Sequence, residues 1–231
     1  VIETFFKEER ANLHALAGGA GLESALFGRM VTSDPKSNRD AAIHVAHALT
    51  VHAIERELDY MTAVDDLTGA EQGDDAGAAG LFDMELASGL YYGYVVVDVG
   101  LLVSNLSDDR AIAGRVVQHL IHLIAKVSPG AKRGSTAPYS YAEFLLVEAG
   151  DRQPRTLANA WRDPVSLRTN RLLDTTVEGL VKHLGRLDAA YGGTEARRVC
   201  NTSDTALPGA GAAALPAIAE WAAAAVRDGR A

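Results

Sequence analysis

Leu90-Tyr91-Tyr92-Gly93-Tyr94-Val95-Val96-Val97-Asp98-Val99 is aromatic and β-branched almost throughout, and it reads as the strongest strand in the chain. Downstream, Asp108 to Lys126 carries two rows at helical spacing, Ile112, Val116, Leu120, Leu123 and Ala113, Val117, Ile121, Ile124. That pattern predicts an amphipathic helix with a wide buried face, stopped at Ser128-Pro129-Gly130. Ala142 to Glu148 predicts another strand, and helices are expected at Asn170 to Tyr191 and Ala213 to Arg227, where Pro216 fits the first turn.

Upstream, Ile43 to His52 alternates at period two, with Ile43, Val45, His47, Leu49 and Val51 on one face. Leu22 to Thr32 is also read as a strand, with Ala25, Phe27, Arg29 and Val31 on one side and Leu26, Gly28 and Met30 on the other. Thr4 to Ala17 is helix-compatible and stops at Gly18-Gly19, and Ser33 to Asn38 has turn composition. Between the strands, Glu55 to Asp66 is charged, and Thr68 to Gly80 is rich in Gly, Ala and acid, a loop with little to bury.

Strand, strand, charged excursion, strand, helix, strand, helices describes an α+β protein with an antiparallel sheet and helices packed on one face. It is also what remains of a split βαβ, ferredoxin-like fold without its first strand and helix, so a strand is expected to be missing from the sheet.

The chain has 231 residues, 22 Lys and Arg against 30 Asp and Glu, a net charge of -8 and 48% hydrophobic residues. It can bury a core, and one domain is the default at this length. The acidic balance argues against a general nucleic-acid binder, although a ligand responds to the patch it touches rather than to net charge. The single cysteine, Cys200, forbids an internal disulfide and fits a reducing compartment. Ala212 to Val226 contains Glu220 and Pro216 and falls short of a membrane span, and the acidic opening is unlike a signal peptide, so a cytoplasmic protein is expected. The start at Val1 without an initiator Met raises the expectation of a longer polypeptide.

The histidines do not spell a metal site. His44 and His52 share a strand face that His47 leaves, and His119 and His122 lack the intervening Glu of a zinc-protease helix. Asp65-Asp66 has no His or Ser at a spacing that completes a triad, and Ala17 to Gly21 lacks the Lys and Ser or Thr of a phosphate loop. Neither catalytic residue, metal nor cofactor is expected. The basic residues offer Arg29 beside Met30, and Lys132-Arg133 after the helix stop. Tyr60-Met61-Thr62-Ala63-Val64 sets large apolar residues on a charged excursion with little core to join, the composition of an arm that serves a partner. A metal-dependent hydrolase built on the histidines and Asp65/Asp66, and a non-catalytic oligomerisation domain, are the alternatives.

In this order and spacing, Ala25 to Ser33, Ile43 to His52, Leu58 to Leu67, Ser88 to Tyr94, Val127 to Lys132, Pro138-Tyr139 and a helical tail ending near Trp221 resemble the CasC family. CasC forms the backbone of Cascade, the type I-E CRISPR surveillance complex of antiviral defence. The resemblance holds from about Ser24 to Trp161 and more loosely beyond. No one of these motifs is diagnostic singly, but their common order is specific.

The resemblance implies a hand-shaped protein whose RRM-like palm spans 22–56 and 89–165, with a thumb at 57–88. Residues 1–21 would end a helical region, and 166–231 would form a helical C-terminal part. It implies several copies along one CRISPR RNA, contact with other Cascade subunits, and target DNA met through the guide. By position, the resemblance makes Met30 brace a base and Met61, Thr62 and Val64 wedge at a flipped nucleotide, with Arg29, Tyr60, Lys132 and Arg133 as further RNA contacts. Met61 stands where the family commonly has an aromatic ring. The family begins with a palm strand and a basic Ser- and Arg-rich segment, so this chain resembles the family lacking its N-terminal portion. A separate nuclease is recruited, so no catalytic site is implied, and no membrane partner.

Overall fold

The computed structural model describes residues 21–54, 57–63, 80–86, 88–128, 130, 134 and 137–230. It opens on a helix, α1 (Leu22–Phe27), where a strand was expected. Ala25 and Leu26 are both buried while Phe27 is 62% exposed, so burial follows a helical stripe and not the two faces of a strand. The helix ends at Gly28, φ +77°, a left-handed turn suited to glycine. Arg29 then pairs with Arg39 in an isolated antiparallel bridge, and the turn between them includes a short 3-10 helix, Pro35–Ser37.

The strand expected over Ile43 to His52 is divided into β1 (Ile43–Val45) and β2 (Leu49–Thr50). An arm follows, β3 (Glu57–Ala63) and β4 (Gly80–Leu86), and the strand expected over Leu90 to Val99 is likewise divided into β5 (Tyr91–Tyr92) and β6 (Val95–Val97). β1 pairs antiparallel with β6, Val45 opposite Val95, and β2 with β5, Leu49 opposite Tyr92. Between those pairs three residues, 46–48, face only two, 93 and 94, as in a bulge. The expected face is not uniformly buried: Ile43 and Val51 are buried, whereas Val45 and Leu49, which flank the bulge, are more than half exposed.

Asp98 caps the unanticipated helix α2 (Val99–Asn105) by accepting from the Leu101 N–H at 2.8 Å. Asp109 caps α3 (Arg110–Lys126) in the same way through the Ile112 N–H. On α3 the row Ala113, Val117, Ile121 is buried, while Ile112, Leu123 and Ile124 of the expected face are exposed. The strand β7 (Phe144–Ala149) and the helix α4 (Leu172–Tyr191) stand close to expectation. β8 (Ala196–Asn201), β9 (Gly211–Ala212) and α5 (Leu215–Arg227) complete the chain, with Pro216 in the first turn of α5. The segment expected to be helical after 166 therefore also carries two strands.

Among the described residues the strands form four small sheets in place of one: β1-β6, β2-β5, β3-β4 and β7-β8-β9. All pairings are antiparallel except β8 with β9. Helices α3 and α5 pack closely, because Gly114 of α3 lies where a Cβ would come within 2.9 Å of the Ala223 carbonyl oxygen of α5. They cover a core with Leu26, Ile43, Leu102 and Val226, and a second core gathers Leu157, Leu180, Leu184, Val199 and Leu207 beneath α4. β7 belongs to both, as Leu145 and Val147 pack on the first core and Phe144 and Leu146 on the second. A strand covered by apolar cores on both faces has the environment of a central strand. Among the described residues no helix is long and apolar enough to cross a membrane.

Candidate nucleic-acid interface

Three features are candidate sites: the arm, the edge at Arg29 and Met30, and the cleft beside β7. The arm is an antiparallel ribbon of seven residue pairs, from Glu57 opposite Leu86 to Ala63 opposite Gly80. Its register sets Tyr60 opposite Asp83, Met61 opposite Phe82 and Thr62 opposite Leu81. Strand β3 matches the sequence excursion that carries the apolar residues. The return strand β4 was not anticipated, although Phe82-Asp83-Met84-Glu85-Leu86 alternates apolar and acidic residues at period two. Val64 and all but Gly80 of the Gly- and acid-rich loop lie outside the described residues, as do Asp65, Asp66, Lys132 and Arg133.

The arm leaves and returns through one point. His52 is 3% exposed, its Nδ1 donates to the Ala53 carbonyl at 2.8 Å, and its Nε2 accepts from the Leu90 N–H at 3.0 Å. Val51 N–H donates to the Leu90 carbonyl at 3.1 Å, and Val165 N–H donates to the Val51 carbonyl at 2.9 Å. The residues just before β3 and just after β4 are thereby tied to each other and to Val165. His52 thus has both ring nitrogens occupied by backbone, while His44, His47 and His119 are exposed. Among the described residues no three His, Cys, Asp or Glu side chains are placed to hold a metal ion.

Arg29 is exposed and Met30 is 84% exposed, beside Phe27 at 62%. They sit on the turn after α1 and not on a central strand. Large apolar side chains this open beside a cation suit a partner that offers both an apolar face and negative charge.

The cleft runs between β6 and β7. Among the described residues β6 pairs only with β1 and β7 only with β8, so each has an edge without a neighbouring strand. A cavity of about 1880 Å³ lies there, walled by Val95–Val97 and Phe144–Ala149, with Val117 and Ile121 of α3, Val177 and Leu180 of α4 and Ala222 of α5 lining it as well. Thr176, which also lines it, has a buried hydroxyl with no hydrogen-bond partner among the described residues. At one end the lining becomes charged through Arg152, Arg155, Glu148 and Glu195. There Arg197, 6% exposed, donates from Nε to Glu148 at 2.7 Å and from Nη1 and Nη2 to Asp188, the latter at 2.7 Å. Accepting these bonds from Arg197 holds the Asp188 carboxyl below its ordinary range, and donating them to Asp188 raises the Arg197 guanidinium above its own.

The family described as CT1975-like protein matches residues 3–223. No curated protein matches. A solved chain described as "CRISPR RNA-guided surveillance complex, pre-nicking" is similar with a TM-score of 0.80 at 24% sequence identity, over 90% of this chain and 56% of that one. Another, described as "CRISPR RNA-guided surveillance complex", gives a TM-score of 0.77 at 24% identity, over 95% of this chain and 81% of that one. At this identity the likeness is one of fold, and this chain spans little more than half the length of the first.

Proposed function

The chain belongs to the CT1975-like protein family, and from that premise we propose that it is a CRISPR RNA-binding, self-associating backbone subunit of a type I-E surveillance complex, a CasC-type protein. The observation that carries this reading is the arm, a seven-pair ribbon inserted between β2 and β5 in a fold like that of chains from CRISPR RNA-guided complexes. In this reading the arm is the thumb and the sheets with their helices are an RRM-like palm. Copies line up along one guide, and each thumb reaches toward the next copy.

Met30 then braces a base, and Met61, Thr62 and Val64 wedge at an unstacked nucleotide, with Arg29, Tyr60, Lys132 and Arg133 beside the guide. Unstacking a base costs a few kcal/mol, which backbone contacts and apolar packing offset. The guide reads target DNA by pairing while the protein holds its shape, so the subunit is assigned no catalytic step.

The reading also places a further strand between β6 and β7. Among the described residues, the two free edges, the apolar packing on both faces of β7 and the unpartnered Thr176 hydroxyl support it. Such a strand would pair with both edges and join the small sheets into one palm.

The test is purification of the full-length protein coexpressed with its cognate guide. The expected result is nucleic acid of guide length on a denaturing gel and an absorbance ratio raised toward that of RNA. Protein free of RNA under those conditions contradicts the reading.

A further inference from the structure

We infer that Arg29 and Arg39 form a two-guanidinium clamp for one phosphodiester of single-stranded RNA, with Met30 and Phe27 as the apolar seat for the neighbouring base. The inference rests on the RNA-binding reading above and deepens it by naming a phosphate contact. Arg29 N–H donates to the Arg39 carbonyl and Arg39 N–H to the Arg29 carbonyl, each at 2.9 Å. This exchange defines a hydrogen-bonded antiparallel pair, whose two side chains leave from the same face about 5.5 Å apart at Cα. Like charges placed directly opposite are destabilising.

Among the described residues neither guanidinium is paired with a carboxylate, and the side chain of Arg39 donates only to the Asn38 carbonyl, at 3.0 Å. Asp40 lines the same hollow, but its backbone carbonyl is what is engaged, by the buried Asn105 amide at 3.0 Å. No carboxylate among the described residues therefore offsets these two charges, and an anion between the two forks would. Arginine suits phosphate because its planar donors meet two oxygens at once.

The frame around the pair is built in advance. A Cβ on Gly28 would lie 2.9 Å from the Arg39 carbonyl oxygen and 3.0 Å from the Ala41 nitrogen, so only glycine lets the two segments close. At the other end the Asn38 Oδ1 accepts from the Val31 N–H at 2.6 Å. The pair borders a hollow of about 350 Å³ that Phe27 and Met30 also line. A fixed frame lowers the ordering cost of binding.

The experiment compares full-length wild type, Arg39→Ala and Arg39→Lys in titrations of a labelled single-stranded RNA across a salt series, alongside thermal melting of the free proteins. Arg39→Ala is expected to lower the slope of log affinity against log salt by about 0.7 and to weaken binding about fourfold near 0.15 M salt. Arg39→Lys keeps the slope and loses affinity. The free Arg39→Ala protein melts no lower than wild type, because the substitution removes a repulsion and keeps the backbone pair; a lower melting point marks a structural role and overturns the clamp. RNA binding by wild type with an unchanged slope in Arg39→Ala overturns the clamp and leaves the functional reading standing. Failure of wild type to bind RNA overturns both. Inorganic pyrophosphate at matched ionic strength is the last arm: stabilisation of wild type by it, with no loss of RNA affinity in Arg39→Ala, assigns the pair to free phosphate and overturns the RNA contact.

Discussion

His52 and Leu90 close the base of the arm: the imidazole Nε2 accepts the Leu90 N–H at 3.0 Å, and Gly89 leaves the space for it, since a Cβ there would stand 2.6 Å from that nitrogen. Replacing His52 with Ala leaves the Leu90 N–H without its acceptor, at a cost of about 1–2 kcal/mol. Hydrogen exchange at the Leu90 amide is expected to quicken while α3 amides change no more than global stability requires. Unchanged Leu90 protection would remove His52 from the arm's anchorage. Gly89→Ala should reproduce the effect with the histidine still present.

Gly114 and Gly185 both lie inside helices, and the same substitution is expected to have opposite signs at the two. A Cβ on Gly185 meets nothing within 4 Å, so Gly185→Ala gains helix propensity of about 1 kcal/mol. On Gly114 the Cβ meets the Ala223 carbonyl at 2.9 Å, and overpacking of about 1–3 kcal/mol outweighs that gain. Urea denaturation of the two variants checks the contrast. Equal shifts in one direction would contradict the close approach of α3 and α5.

Arg197 holds Glu148 and Asp188 together at 6% exposure, and its Nη2 lies 3.5 Å from Glu195. Arg197→Ala leaves three clustered carboxylates with Arg155 as their remaining shared cation, at a cost of about 3 kcal/mol at neutral pH. The pH dependence has a definite sign. Asp188 is depressed in the folded state, so its contribution is complete above its ordinary carboxylate range and is lost as pH falls through the depressed folded value. Melting curves of wild type should fall on acidification, and those of Arg197→Ala should fall less steeply over the same range.

Much of this fold was legible because several helices are long. The rows on α3 and the apolar period of α4 survive any local error, and Pro216 marks the start of α5. The misreadings have local causes. Six residues, Leu22 to Phe27, are too few to separate a period of two from one of 3.6. The bulge opposite Gly93 and Tyr94 changes register without a distinctive residue, so one continuous strand was expected where two short ones form. β8 carries Arg197 and Arg198 inside a strand, which reads as exposed until the carboxylates of β7 and α4 are brought to it. At the candidate site, Arg29 and Met30 were visible as a cation beside a large apolar residue. Arg39 was not, because its partnership with Arg29 arises only when the intervening turn folds back.

The wedge assignment predicts that Met30→Ala combined with Met61→Ala weakens protection of the guide. Nuclease footprinting of assemblies carrying both substitutions should show new cleavage at regular intervals, with assembly retained. A footprint identical to wild type would withdraw these two residues from the RNA surface.

The central claim is that several copies of this protein line one guide RNA, and native mass spectrometry of the full-length protein assembled with its guide measures it directly. The predicted spectrum contains a single RNA carrying more than one copy of the protein, and the copies separate when the RNA is digested. A spectrum of RNA-free protein, or of one copy per RNA at every protein concentration, would contradict it.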